Sequence, residues 1–125
     1  MALDGAWGEA VAAAWAEAQG MHVLARNHRC RRGEVDLVLR EGRVLVFAEV
    51  KTRRDARLGS GLEAVGWRKQ RRLGLAALDW LARARIPLDE VPCRFDVVEV
   101  RPGAPGSGPV VRWVREAFTL DGLLE

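Results

Sequence analysis

The stretch Gly33-Glu-Val-Asp-Leu-Val-Leu-Arg40, followed by Glu41-Gly42 and Arg43-Val-Leu-Val-Phe-Ala-Glu-Val-Lys51, decides the fold of this chain. Two runs rich in β-forming residues flank a turn that contains glycine, a pattern typical of an antiparallel hairpin. A loop symmetric about Glu41-Gly42 fixes the register that we predict: Arg40 opposite Arg43, Asp36 opposite Phe47 and Glu34 opposite Glu49.

Side chains alternate along a strand, so this register assigns each hairpin residue to one of two faces. One face carries the charged residues Glu34, Asp36, Glu49 and Lys51. The other face is entirely apolar and consists of Val35, Leu37, Leu39, Val44, Val46, Ala48 and Val50. A slip of one residue would mix charges into the apolar set, so the pattern itself favours this register. We therefore predict that three carboxylates and an ammonium group lie together at one end of the hairpin.

Patterns outside the hairpin predict two helices and further strands in a single domain, residues 1–125, the length of the whole chain. We predict helices over 5–19 (capped by Asp4) and 63–85, strands over 21–27, 94–100 and 110–115, a basic loop over 28–32, a mobile loop over 53–61 and a tail from 116. The order is α-β-β-β-α-β with one more strand. It indicates an α/β fold in which helices cover the faces of one mixed sheet.

Composition and charge limit the classes of protein to consider. An apolar fraction of 49% and a charged fraction of 30% are those of a soluble globular protein. No apolar run approaches the roughly 20 residues that cross a bilayer, and the acidic N-terminus does not resemble a signal peptide. Only two cysteines, Cys30 and Cys93, are present, which suits a reducing compartment. We expect a cytoplasmic protein without membrane contact.

Basic residues are concentrated on both sides of the hairpin and at the start of the second helix, in a chain of net charge +3. This distribution suits the binding of a polyanion close to the acidic residues of the hairpin. We favour that interpretation over one in which the basic residues are merely solvated. The candidate nucleic-acid contacts are Arg26, Arg29, Arg31, Arg32, Arg53, Arg54, Arg68, Lys69 and Arg72. Trp67 is a candidate for stacking on a base, but we expect it, like the other tryptophans, in the core or in an interface.

The predicted acidic cluster has the composition of a metal centre. Carboxylates that lie close together repel unless a proton or a cation separates them. Oxygen ligands suit a hard ion such as Mg²⁺ or Mn²⁺, and Asp36 and Glu49 are the natural pair, joined by the backbone carbonyl of Val50. Glu34 could hold a second ion or a water molecule of the first. Lys51 would then stabilise negative charge at a scissile phosphate, or orient and deprotonate the attacking water.

These motifs resemble the metal-dependent nucleases of the PD-(D/E)xK superfamily, which share an αβββαβ core. More narrowly, the chain resembles the YraN-like bacterial proteins, a family of uncharacterised function often likened to archaeal Holliday-junction resolvases. The resemblance covers residues 5–100 and is carried by Gly8-Glu9, Arg26-Asn27-His28-Arg29, Gly33-Glu34-Val35-Asp36-Leu37, Val46-Phe47-Ala48-Glu49-Val50-Lys51, Lys69 with Arg72-Leu73, and Arg94-Phe95-Asp96-Val97-Val98. It implies that Asp36 and Glu49 ligate metal, that Lys51 is catalytic and that Glu9 is a supporting acid. The superfamily's proline is replaced by Val35, and Arg32 stands where a small residue is frequent.

Two functions follow from these residues. The first is a Mg²⁺-dependent DNA endonuclease, acting on branched or structured DNA, which the intact acidic pair and Lys51 favour. The second is a nuclease-like fold that binds nucleic acid or a partner without turnover. A Zn²⁺ site built from His22, His28, Cys30 and Cys93 fits no ligand spacing. A junction-acting enzyme would gain from a symmetric homodimer, for which residues 110–114 or Trp67 are candidate surfaces.

Overall fold

A computed structural model of the chain describes residues 5–53 and 66–119. The elements are α1 (Gly5–Ala18), β1 (His22–Cys30), β2 (Gly33–Glu41), β3 (Val44–Thr52), α2 (Trp67–Ala84), β4 (Cys93–Arg101) and β5 (Val110–Phe118). The predicted order of helices and strands is therefore confirmed. Neither of the two helices in these ranges is long and apolar enough to cross a membrane.

The five strands form one mixed sheet in the order β1-β2-β3-β4-β5. β3 and β4 pair in parallel, and the other three neighbouring pairs are antiparallel. A parallel pair needs a long crossover connection, which here includes α2. The two helices thus cover the sheet as the α/β prediction required.

Both faces of the hairpin are buried, each under one helix. Leu37, Leu39, Val46 and Ala48 pack in a cluster with Ala12, Ala13 and Ala16 of α1. Val38, Leu45 and Phe47 pack in a second cluster with Leu73, Ala77 and Leu81 of α2. The middle of the strands therefore has no charged face, because a parallel crossover places a helix over the second face as well. Charged residues share the α2 face only at the end of the hairpin.

The predicted hairpin register is wrong by two residues. Arg40 pairs with Leu45 and Glu41 pairs with Val44, so the turn is Gly42-Arg43 rather than Glu41-Gly42. Gly42 adopts a φ of 59°, which favours glycine. The Glu41 carboxylate binds the guanidinium groups of Arg94 and Arg115, which keeps Glu41 within the strand. A shift of two residues preserves the alternation of side chains, so most face assignments survive it.

Val35 is the exception, because β2 changes face at Asp36. Val35 packs in the cluster of α2, whereas Leu37, two residues later, packs in the cluster of α1. The paired residues of β1 on either side place Asn27 opposite Asp36, and Asn27 has a φ of 52°. A left-handed residue interrupts the regular pleat. The strict alternation of side chains between the two faces therefore fails at Asp36, one of the predicted metal ligands.

Two predicted loop boundaries are also wrong. Residues 28–30 extend β1, where the His28 ring lies 2.8 Å from the Asp79 carboxylate of α2, and the turn is confined to residues 31–32. Residues 116–118 extend β5, where Phe118 stacks on Phe95 with ring centroids 5.0 Å apart. Tertiary contacts lengthen both strands. Asp4, most of the predicted mobile loop and the start of the predicted second helix lie outside the described residues.

Two glycines allow the helices to approach the sheet closely. A Cβ atom at Gly8 of α1 would overlap the Thr52 hydroxyl of β3, and one at Gly33 would overlap the backbone carbonyl of Arg72 in α2. Gly8 therefore brings the neighbouring Glu9 to the end of β3. Gly33 brings the first turns of α2 against β2.

Gly33→Ala is expected to lower the free energy of unfolding by about 1–3 kcal/mol, the usual cost of overpacking. The Arg72 atoms that the added Cβ would meet all belong to the backbone, so no side-chain rotation relieves the clash. The matched control is Gly66→Ala, because a Cβ atom there meets nothing within 4 Å. Urea midpoints measure the effect, and equal midpoints for the two variants would contradict the proposed contact.

Candidate active site

A cavity of about 430 Å³ opens where β2 and β3 part, beneath the first turns of α2. The residue pairing between the two strands ends with Leu37 opposite Ala48. Beyond it, the backbone N–H of Val50 donates a hydrogen bond to Asp36 Oδ2 at 2.8 Å. The lining residues are Glu34, Asp36, Glu49, Arg68, Lys69, Arg72 and Leu73. The predicted convergence of the three hairpin carboxylates is thus what the structure shows.

The surroundings of the Asp36 carboxyl group disfavour its ionised form. The pKa of Asp36 is raised from 3.8 to about 6. Burial is the largest cause, the hydrogen bond from the Val50 N–H opposes it, and the carboxylates of Glu9, Glu49 and Glu34 add to the increase. Glu9 reaches this neighbourhood from α1, as the resemblance implied. Asp36 is therefore the point where acidic groups from three elements meet.

Glu49 is buried, with 7% of its surface exposed. Its Oε1 lies 2.5 Å from the Lys69 ammonium, which partly neutralises the acidic cluster. Its Oε2 is buried and has no hydrogen-bond partner. A buried carboxylate oxygen without a partner is costly, and such groups concentrate at functional sites.

Lys51 lies among charged residues beside Glu49. Burial lowers the pKa of Lys51, the Glu49 and Glu99 carboxylates raise it, and Lys69 and Arg53 lower it. A lowered pKa increases the unprotonated fraction of a lysine at a given pH. Lys51 is not among the residues that line the cavity, and its catalytic role stays a prediction.

A hard divalent cation fits this donor set. Asp36 and Glu49 supply carboxylate oxygens, one of them buried and without a partner, and oxygen donors are what Mg²⁺ and Mn²⁺ prefer. Within residues 5–53 and 66–119, however, no three His, Cys, Asp or Glu residues are grouped closely enough to hold a metal by themselves. A bound ion would therefore depend on the Val50 carbonyl and on water for its remaining ligands. The same finding leaves the Zn²⁺ alternative without support.

The metal-free protein is expected to lose stability as pH rises from about 4 to about 6. The folded state binds the Asp36 proton more tightly than the unfolded chain, and this advantage disappears as Asp36 ionises. A difference of about two pKa units corresponds to at most about 3 kcal/mol. Asp36→Asn retains an acceptor for the Val50 N–H and should flatten this slope. Urea unfolding in EDTA across this range measures it, and equal slopes for wild type and variant would contradict the assignment.

Sequence reasoning missed Glu99, which faces the same side of the sheet. Glu99 pairs with Lys51 in the parallel register, is only 3% exposed, and lies 3.7 Å from the Arg53 guanidinium. Its Oε2 is buried without a hydrogen-bond partner, as is Arg53 Nε. A glutamate inside the apolar run of β4 is a sequence signal that could have identified it.

The candidate nucleic-acid contacts in the described part of the chain occupy several positions. Arg68, Lys69 and Arg72 line the cavity. Arg31 and Arg32 line a separate cavity of about 270 Å³. The others are distributed as follows: Arg29 pairs with Glu34 at 3.3 Å, Arg53 lies beside Glu99, Arg26 is exposed on β1, and Arg54 lies outside the described residues.

The fold and site together define a mixed α/β protein with a basic rim around an acidic cavity. The chain belongs to the uncharacterised protein family UPF0102, whose family model matches residues 8–100. A UPF0102 protein of Xanthomonas campestris is 50% identical over 117 residues, which cover 94% of this chain and 92% of the relative. A UPF0102 protein of Symbiobacterium thermophilum is 54% identical over 99 residues, covering 79% and 82%, respectively. A third, from Rhodococcus opacus, is 46% identical over 114 residues, covering 91% and 94%.

Proposed function

We propose that this protein is a metal-dependent endonuclease that hydrolyses phosphodiester bonds in DNA. The observation that carries the proposal is the cavity itself, in which the Asp36 and Glu49 carboxylates lie under the cationic groups of Arg68, Lys69 and Arg72. A polyanion attracted by the rim would meet the acidic floor only if a cation compensated the repulsion. Carboxylates that can hold a cation, next to cationic side chains that can hold a phosphate, are the arrangement that phosphodiester hydrolysis requires.

The cation would be Mg²⁺ or Mn²⁺, held by Asp36, Glu49 and the backbone carbonyl of Val50, with Glu34 supporting a water molecule. Such an ion supplies Lewis acidity toward a phosphoryl oxygen and makes water more acidic. The partly buried Asp36 and the buried Glu49 would be stabilised in their ionised forms by its charge.

The side chains around the cation have separate tasks. Lys51 stabilises the negative charge that develops on the phosphate, or accepts a proton from the attacking water. Arg68 and Arg72 hold the phosphate backbone, and Lys69, more than half exposed, is free to turn from Glu49 toward a phosphate. Glu9 adds negative charge beside Asp36 and so strengthens the attraction for the cation.

One observation favours a second candidate, a nucleic-acid-binding or partner-binding module without turnover. The ammonium group of Lys69 already occupies one oxygen of Glu49, and an internal cation of this kind can replace a metal in neutralising an acidic cluster. In such a module, the charged residues would serve only to stabilise the cavity and to attract the ligand.

Cleavage assays separate the two candidates. Branched, duplex and single-stranded DNA are incubated with wild type and Asp36→Asn, with Mg²⁺, with Mn²⁺ and in EDTA. We expect metal-dependent products from wild type alone. Calorimetric titration with Mn²⁺ should show binding that Asp36→Asn weakens. A wild type that cuts nothing beyond what the variant cuts contradicts the nuclease, and equal DNA binding by both without cleavage supports the module.

A further inference from the structure

Trp67, the first residue of α2, differs from every other tryptophan in the described part of the chain. Its side chain is 65% exposed. By contrast, Trp7, Trp15 and Trp113 pack against the cluster of α1, and Trp80 packs against that of α2. Of the two positions that we expected for Trp67, the core is therefore wrong, and the interface stays a prediction. An exposed indole ring contributes little to stability, whereas tryptophan is enriched in binding interfaces.

The surroundings of Trp67 indicate what it would bind. The Arg68 guanidinium lies 5.7 Å from the centre of the Trp67 ring, and Arg68 also lines the cavity that holds Asp36 and Glu49. The neighbouring Lys69 and Arg72 are exposed and line the same cavity. A flat aromatic surface next to a row of cations matches a ligand that is both anionic and aromatic. A nucleotide has both properties.

The geometry points to a more specific substrate, and this inference rests on the proposed function. We propose that Trp67 and Arg68 form a stacking platform for an unpaired base, next to the phosphate that enters the cavity. Bases within a duplex already stack on their neighbours and offer no free face, whereas those of a tail, flap or branch do. The protein therefore prefers DNA with a single-stranded segment over uniform duplex.

Binding measured without cleavage tests the platform. Fluorescence anisotropy with Ca²⁺, a hard cation that takes oxygen ligands, in place of Mg²⁺ compares a labelled blunt duplex with the same duplex extended by a single-stranded tail. Wild type should bind the tailed DNA more tightly. Trp67→Ala should weaken that complex by about 5- to 150-fold, the range for stacking one base on an aromatic ring, and should leave the blunt complex nearly unchanged. Trp67→Phe should retain most of the preference because it keeps an aromatic face.

Leu88→Ala is the matched control, since Leu88 is also a large exposed apolar residue, at 40%, but follows α2 rather than opening it. It should leave both affinities unchanged. Equal losses for both DNAs, or no loss for Trp67→Ala, overturn the platform while leaving the nuclease intact if wild type still cleaves. A fall from dimer to monomer in Trp67→Ala, seen by light scattering, reassigns Trp67 to a subunit interface. Absence of any DNA binding by wild type overturns both proposals.

Discussion

Lys51→Ala is expected to lower the rate of metal-dependent DNA cleavage by about 10²- to 10⁴-fold, the range for loss of a general acid–base group. Lys51 follows Glu49 by two residues on β3 and is partly buried, and the proposed function gives it the role of a positive charge or of a proton acceptor. Alanine removes both capacities. Single-turnover rates with Mn²⁺ and tailed DNA measure the effect without a contribution from product release.

Lys51→Arg separates the two roles of Lys51. Arginine keeps the positive charge but does not accept a proton at neutral pH. Activity near that of wild type would show that charge suffices, whereas a loss equal to that of Lys51→Ala would indicate proton transfer. Arg43→Ala, at the exposed turn of the same hairpin, is the control and should cleave normally. Undiminished cleavage by Lys51→Ala would remove Lys51 from the mechanism.

Asp96→Ala is expected to produce the largest loss of stability, about 3–5 kcal/mol, the usual cost of breaking a buried ion pair. Asp96 is fully buried and accepts hydrogen bonds from Arg94 Nε at 2.9 Å, Trp113 Nε1 at 2.7 Å and the backbone N–H of Glu116 at 3.0 Å. The substitution leaves a nearly buried guanidinium and two other donors without their acceptor. Denaturant unfolding, monitored by circular dichroism, measures the loss.

Asp96→Asn should cost less than Asp96→Ala, because the amide retains one acceptor oxygen. Asp89→Ala, in an exposed turn, should have little effect and is the matched control. Asp96 lies on the same face of the sheet as Trp113, which packs against the cluster of α1. Glu49, by contrast, lines the cavity under α2. Asp96 thus supports the sheet from the face opposite the site. A midpoint for Asp96→Ala close to that of Asp89→Ala would contradict this account.

The fold was predictable because its signals are local. Alternating apolar residues identify β2 and β3, and Gly42 marks their connection. The order of elements then restricts the architecture to helices on a mixed sheet. The convergence of Glu34, Asp36 and Glu49 was predicted from alternation, and the two-residue error in register did not disturb it, since a shift of two preserves the alternation of side chains. The change of face between Val35 and Leu37 was not predicted.

Errors arose where distant parts of the chain meet. The turn shifted to Gly42-Arg43 because Arg94 and Arg115 hold Glu41 in the strand. Val35 changed face because of the left-handed Asn27 on the neighbouring strand. Neither influence is visible within the hairpin sequence, because each depends on a residue of another element.

The sequence by itself determined the acidic composition of the site, its lysine and the order of the elements that carry them, because side-chain alternation and helical periodicity are properties of neighbouring residues. Only the tertiary structure decided what surrounds these groups. It placed Lys69 of α2 on Glu49, buried Glu99 beside Lys51 and left Trp67 exposed next to Arg68. Burial and charge pairing depend on which elements pack together, and packing is settled by the whole chain at once.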